Sequence, residues 1–331
     1  MNPVPVGVTR NSEMPRRCSG GDDDVGMTID HPRLIRRASI DLPVIEASGL
    51  ATKMVDGMLQ VIVVGDRTAN VCVGTYSPDA GITEWRIIDL SEVEGWSPPP
   101  DDSQLEAVAV DGGSLVAIMR EDPPVVLVAD TERSRVVARI TLTVPDGTPL
   151  GDRWDDPSSR GEGFVMLRGG RLLVAKEKRP RALIEFCPPG TPARGISRDD
   201  LLDDGEEWEA PADDVEFVAA AVWRLKGRAK KTFHDISDMA AGRDKTLWLL
   251  SDRSRVLGRL TLDEPLPAVG GTIRSVDAAW RLPAGTIKPE GVVALDGRRA
   301  LIAMDTDTTS NNGMIVELPS SESESGSPDT R

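Results

Sequence analysis

The sequence predicts an all-β fold, a single β-propeller of four-stranded blades closed by an N-terminal strand. Three observations predict it. A short unit recurs five times: an acid or hydroxyl, a small residue, then an apolar stretch. It reads Ser48-Gly-Leu-Ala, Glu106-Ala-Val-Ala-Val, Glu162-Gly-Phe-Val-Met-Leu, Ser237-Asp-Met-Ala-Ala and Glu290-Gly-Val-Val-Ala-Leu. In four copies the same interval separates the first residue from an acid that ends a second apolar strand: Glu106 to Glu121, Glu162 to Glu177, Ser237 to Asp252 and Glu290 to Asp305. In the first copy the acid is Asp66, and the intervening turn around Met54–Gly57 is longer. Between these marks lie strand-sized apolar runs broken by turn residues, with no helical periodicity.

The elements follow in order. First strands open at the five units. Second strands are Leu59–Val64, Leu115–Met119, Leu172–Ala175, Leu247–Leu250 and Leu301–Met304. Third strands are Asn70–Tyr76, Pro124–Val128, Arg181–Phe186, Arg255–Leu262 and Met314–Leu318. Fourth, outer strands fit Trp85–Ile87, Val137–Ile140, Trp223–Leu225 and Trp280–Leu282. The last repeat runs out of chain after its third strand, so Leu34–Ile40 supplies its fourth and removes the open edge. Five blades are counted, and the length leaves room for a sixth. One likeness strains the register: Arg133–Leu142 resembles Arg253–Leu262, yet the two fall on a fourth and a third strand.

Three segments organise the chain. Residues 1–30, rich in Pro, Ser, Gly and Asp, read as a disordered lead-in. Residues 31–319 form the propeller, with an acidic insertion at 189–216. Residues 320–331 are a low-complexity, disordered tail. From Asp199 to Glu216 the insertion carries acids and no base, with Trp208 among them. It reads as a solvated surface loop or as a docking segment for a basic partner.

Composition bounds the function. The chain has 331 residues, a formal charge of −15 and a pI near 4.7. Nucleic-acid binding needs a basic face to displace counterions from phosphates, and an anionic membrane surface repels the same charge. No apolar run approaches a membrane span or a signal-peptide core. Cys18, Cys72 and Cys187 have no metal-binding spacing, which fits a reduced, cytoplasmic setting.

Inner strands of a propeller line a central channel, so repeat-equivalent residues form rings around it. Glu106, Glu162 and Glu290, with Ser48 and Ser237, make one ring. Converging carboxylates raise each other's pKa unless a cation neutralises them, and calcium takes several such oxygens. The acids Asp66, Glu121, Glu177, Asp252 and Asp305 make a second ring. The metal-ligand candidates are thus Glu106, Glu162, Glu290, Asp252 and Asp305. Lys176, Glu177, Lys178 and Arg253 are candidates for holding an anionic ligand. Alternatively, both rings bridge neighbouring blades by hydrogen bonds. Other motifs carry less. Asp305-Thr-Asp307-Thr-Thr309 imitates a phosphotransferase loop but has no α/β context, and it reads as a polar turn. His234, between Phe233 and Asp235 and near Ser237, has sequence adjacency without triad geometry.

Glu162-Gly with Leu172–Pro180, Asp235-Ile-Ser237-Asp-Met-Ala with Leu247–Ser254, and Lys288-Pro-Glu290-Gly-Val resemble the SdiA-regulated and phytase-like propeller family over residues 40–318. Ala107 and Asp238 depart from its E-G pattern. The resemblance implies a metal-bearing channel, and in true phytases a calcium-dependent phosphomonoesterase. Two functions follow as expectations. The first is a module that binds a small anionic ligand or a protein through the channel mouth or the acidic loop, with a cation, calcium, in the channel. The second is a calcium-dependent hydrolase of phosphate esters or lactones, in which the metal would act as Lewis acid.

Overall fold

In the computed structural model, residues 29–99, 103–150, 153–156 and 159–319 are described. The expected disordered ends, 1–30 and 320–331, lie outside these apart from Ile29 and Asp30, as does Cys18.

Five four-stranded antiparallel blades follow one another in the unit His31–Arg331, the second and third belonging to one nine-stranded sheet. The first blade is β2 (Ala47–Val55), β3 (Met58–Gly65), β4 (Asn70–Ser77) and β5 (Gly81–Asp89), from inside to outside. The second is β6 (Leu105–Val110), β7 (Leu115–Arg120), β8 (Val125–Asp130) and β9 (Arg135–Thr143). The third is β10 (Gly161–Leu167), β11 (Arg171–Lys176), β12 (Ala182–Cys187) and β13 (Val215–Leu225). The fourth is β14 (Asp238–Ala241), β15 (Leu247–Ser251), β16 (Val256–Leu260) and β18 (Ala278–Arg281). The fifth is β19 (Pro289–Ala294), β20 (Arg299–Met304), β21 (Gly313–Glu317) and, as outer strand, β1 (Ile35–Ile40). The chain is therefore a five-bladed β-propeller, and β1 closes it against β21.

The closure is reinforced by one buried amide. Asn312 accepts the Leu42 N–H at Oδ1 (2.7 Å) and donates from Nδ2 to the carbonyls of Leu42 and Val44. It ties the start of the propeller chain to its last hairpin. The strained register resolves without a shift. Arg135–Thr143 is a fourth strand and Val256–Leu260 a third, so the likeness of the two decapeptides is not a structural equivalence.

The second and third strands are apolar on both faces because each blade is sandwiched by two others. The core is accordingly a set of slabs. Ile62, Val71, Val108 and Ile118 fill the gap between blades one and two. Met119, Val126, Phe164 and Val174 fill the next. Leu173, Trp223, Met239 and Leu249 fill the third. Trp248, Leu301, Val292 and Leu50 run through the fifth blade to both its neighbours. Apolar burial of this kind stabilises by roughly 25 cal/mol per Å².

Two features lie outside the blade plan. The first half of β13 pairs in parallel with β9, from Val215↔Ile140 to Val218↔Thr143. A short strand, β17 (Gly271–Ile273), pairs in parallel with the end of β13. The rims of blades two, three and four are thereby joined by backbone hydrogen bonds. A short helix, α1 (Gly227–Thr232), follows β13 at this junction.

The insertion before β13 is a surface loop with most of its acids exposed, and a few buried side chains pin it to the blades. Ile196, Leu201 and Trp208 are buried. The Trp208 indole donates to the Leu167 carbonyl (3.1 Å), and its backbone N–H donates to Asp111 (3.1 Å). Several of its acids meet bases from neighbouring turns: Asp203 and Glu206 pair with Arg168, Asp204 with Arg243, and Asp203 also with Lys245. Deeper, the fully buried Arg171 bridges Glu185 and Asp200. These acids find their partners outside the insertion's own sequence, so a local count of charge misreads it.

Candidate functional site

The site begins with a repeated irregularity. In four blades the first two strands fall out of register by one residue at the same place. The extra residue is Ser48 between Ala47 and Gly49, Glu106 between Leu105 and Ala107, Glu162 between Gly161 and Gly163, and Glu290 between Pro289 and Gly291. A bulged residue is left out of the ladder and its side chain is re-aimed. In the fourth blade Ser237 stands just before β14, and its N–H donates to the Leu250 carbonyl (2.9 Å).

The glycine after the bulge has a steric reason. A Cβ on Gly163 would lie 2.2 Å from the Met239 nitrogen of the next inner strand. A Cβ on Gly49 would lie 2.8 Å from the Ala107 Cα. With only five blades the inner strands approach backbone to backbone. In the fourth blade Asp238 stands where glycine is expected, and it makes the bridge chemically. Its buried carboxylate accepts the Val292 N–H of the fifth blade (2.6 Å) and its neighbour's Met239 N–H (2.7 Å). Burial still holds that carboxyl well above the usual range.

The five ring residues divide into two kinds. Both serines bridge blades: Ser48 Oγ donates to the Leu105 carbonyl, and Ser237 Oγ to the Pro289 carbonyl (2.8 Å). No hydrogen bond or ion pair to protein is formed by Glu106, Glu162 or Glu290 among the described residues. They sit in one another's field. Burial pushes Glu106 up to about 8, with Asp66 and Glu121 adding and Lys288 opposing. Burial holds Glu162 well above the usual range, and the charges of Glu106, Glu177 and Glu290 add to it. Burial raises Glu290 likewise, and Lys288 partly offsets it.

The second ring is more ordinary. Glu177 pairs with Lys178, Asp252 with Arg255 (3.3 Å), and Asp305 with Lys288. Arg253 is half-turned to solvent, and its guanidinium stands 3.6 Å from Asp235. Lys176 is fully buried, and its amine donates to the Ser159 carbonyl and to Ser159 Oγ (2.9 Å). Burial lowers it to about 8. Its amine thus clamps the Ser159 loop. Asp235 is engaged by Ser251 and by the Arg253 N–H, and Ser237 by Pro289, so His234, exposed, has no relay to join.

The donor chemistry of Glu106, Glu162 and Glu290 suits a hard cation: oxygen ligands, negative charge and no competing protein cation bonded to them. Their spacing is looser than a closed cage. Among the described residues no group of three or more His, Cys, Asp or Glu lies close enough to hold a metal ion by itself. An ion there would keep part of its water shell, which calcium tolerates.

At the other end of the inner strands the channel opens into a cavity of about 100 Å³. Leu50, Val108, Phe164, Met239 and Val293, one from each blade, line it, and Leu202–Gly205 of the insertion overhang it. The approach is close: a Cβ on Gly112 would lie 2.0 Å from the Gly205 carbonyl carbon. Sequence reading missed this end, because the insertion's place on it depends on contacts across three blades. No helix among the described residues is long and apolar enough to cross a membrane.

No family model matches the chain, and no curated protein matches it. Solved structures similar to it include glutaminyl cyclase from Myxococcus xanthus, at 10% identity over 87% of this chain and 98% of that one, with a TM-score of 0.49. The calcium-binding protein regucalcin from Agrobacterium tumefaciens matches at 10% identity over 86% and 94%, with a TM-score of 0.47. The PQQ-bound aldose sugar dehydrogenase from Streptomyces coelicolor matches at 13% identity over 86% and 97%, with a TM-score of 0.46. These proteins differ in what they do, and at such identity the likeness concerns fold alone. Strand pairing in the chain itself makes it an all-β propeller of five blades.

Proposed function

We propose that the protein is a ligand-binding propeller whose channel mouth takes a hard divalent cation, calcium by preference, between Glu106, Glu162 and Glu290. One observation carries this reading. Three carboxylates stand at the bulged positions of blades two, three and five, lie within one another's electrostatic field, and form no hydrogen bond or ion pair to protein among the described residues. Ser48 and Ser237, at the same ring positions, use their side chains to join blades. The three glutamates do no such structural work and cost stability through mutual repulsion. A cation removes that cost. Lys178 and Arg253 lie on the same strand-end side and would hold an anionic group of a ligand that also meets the cation. The resemblance to SdiA-regulated and phytase-like propellers fits this arrangement without fixing a reaction.

The experiment is a thermal melt of the full chain at pH 7.5 with calcium, with magnesium, and with EDTA. A ligand at about 100 times its Kd stabilises by about 2.7 kcal/mol. Calcium at a few hundred micromolar should therefore raise Tm by several degrees. The triple variant Glu106→Gln, Glu162→Gln, Glu290→Gln should show no response. Equal melting in all three conditions sinks the reading.

A further inference from the structure

The molecule carries a net charge of −15, yet one part of its rim runs the other way. Residues 217–234, FVAAAVWRLKGRAKKTFH, hold no acid and include Arg224, Lys226, Arg228, Lys230 and Lys231. Local folding turns most of these outward. On α1, Ala229 and Thr232 are buried, and Phe233 is buried just beyond it. That leaves Lys226, Arg228, Lys230 and Lys231 exposed. Backbone bonds bring a further cation alongside. The Lys226 N–H donates to the Ile273 carbonyl (2.9 Å), and the Ala229 N–H donates to the carbonyl of the exposed Arg274 (2.8 Å).

These cations differ from others on the surface. The exposed Arg37, Arg67, Arg243 and Arg298 each pair with an acid. Lys226, Arg228, Lys230 and Arg274 have no acid within 4 Å among the described residues. Their side chains are not needed for the local fold, because backbone groups make the bonds that hold α1 to the strand end at Ile273. Like charges at this density repel, and among the described residues no acid lies within 4 Å of Lys226, Arg228, Lys230 or Arg274 to offset the repulsion.

We propose that this patch, at the junction of blades three and four, docks a short acidic peptide segment of a partner protein. Charge complementarity gives the sign of the partner, and the rest of the surface gives its size. Screening acts over about 8 Å at physiological salt. A nucleic-acid duplex or an anionic bilayer would extend well past the patch, over a protein whose net charge is −15. A flexible peptide can cover the patch alone. Anchoring by α1 and the strand end keeps the cations in place before binding, which reduces the ordering cost. The site is on the rim, so it stands or falls independently of the channel reading.

The test uses a fluorescein-labelled deca-glutamate peptide and the full-length protein, read by anisotropy at about 50 mM and about 300 mM salt. Saturable binding is expected at the lower salt, with affinity falling roughly tenfold or more at the higher, because surface electrostatics are screened. Lys226→Glu with Lys230→Glu should weaken binding by at least about tenfold, since charge reversal acts on both attraction and steering. Arg228→Glu alone should weaken it less. Arg36→Glu, an exposed change on β1, should leave it unaltered. All four positions are solvent-facing, and a thermal melt of each variant checks that it folds. Unchanged affinity in the double variant overturns the proposal. So does tighter binding of a single-stranded DNA decamer, or of phosphatidylserine vesicles, than of the peptide.

Discussion

Glu106, Glu162 and Glu290 make the protein's stability depend on pH in a definite direction. Burial and mutual repulsion raise their pKa values in the fold. Between the ordinary glutamate value and about 8, where Glu106 titrates, the unfolded chain has released protons that the folded chain keeps. Stability therefore falls as pH rises through that window, and it is fully present below it. A tenfold difference in proton affinity between the folded and unfolded chain is worth about 1.4 kcal/mol, so the ring can cost a few kcal/mol at pH 8. Glu162→Gln should raise the urea midpoint at pH 8, leave it nearly unchanged at pH 5, and flatten the profile between. The neighbouring glycine acts by sterics instead. Gly163→Ala sets a methyl group against the Met239 backbone and should destabilise by about 2–3 kcal/mol, measured by the same urea titration. The ring was readable in sequence because repeat spacing places its members in register. Two things were not readable. A bulge leaves no mark of its own in composition, and the side of a strand on which Lys176 falls is fixed by pairing. Lys176 and Glu177 are adjacent, yet only Lys176 belongs to the ladder of β11 and is buried.

The insertion shows at the scale of an element how pairing outweighs composition. Most of its acids are exposed, yet several are held in ion pairs. Their partners Arg168, Arg171, Arg243 and Lys245 sit in the turns and strands of blades three and four, where no local pattern reveals them. The pairs differ in worth. Those of Asp203 and Asp204 are solvent-exposed and contribute little individually. Arg171 with Glu185 is fully buried. Arg171→Met would strand the Glu185 carboxylate and should cost about 3–5 kcal/mol. Adding Glu185→Leu should recover much of that loss, and a double-mutant cycle in urea measures it. Gly112→Ala is the gentler probe of the same element. It drives the Leu202–Gly205 stretch off the cavity by direct overlap with Gly205. Faster amide exchange should follow in residues 202–207, with little change in the five blades.

The whole molecule is a ring of slabs, and a ring is only as sound as its closure. Strand count, blade count and the role of Leu34–Ile40 were legible because each blade repeats the same order of apolar runs and turns. The parallel pairings of β13 with β9 and β17 were not, since an outer strand accepting a neighbour's edge has no period that sets it apart. Removing residues 1–40 deletes β1 and bares the β21 edge. Tm should drop by about 10 °C or more, with light scattering reporting association through the open edge.

The direction of that closing seam bears on how the protein yields to force. Ile35, where β1 begins, lies opposite Glu317, where β21 ends. A pull applied through the two tails loads the hydrogen bonds one at a time, like a zipper, where an opposite arrangement would have loaded them together in shear. The ring should open at low tension from this corner. The rupture would travel toward Ile40 and Gly313 and stall at the Asn312 amide, whose three bonds make it the last stitch to part.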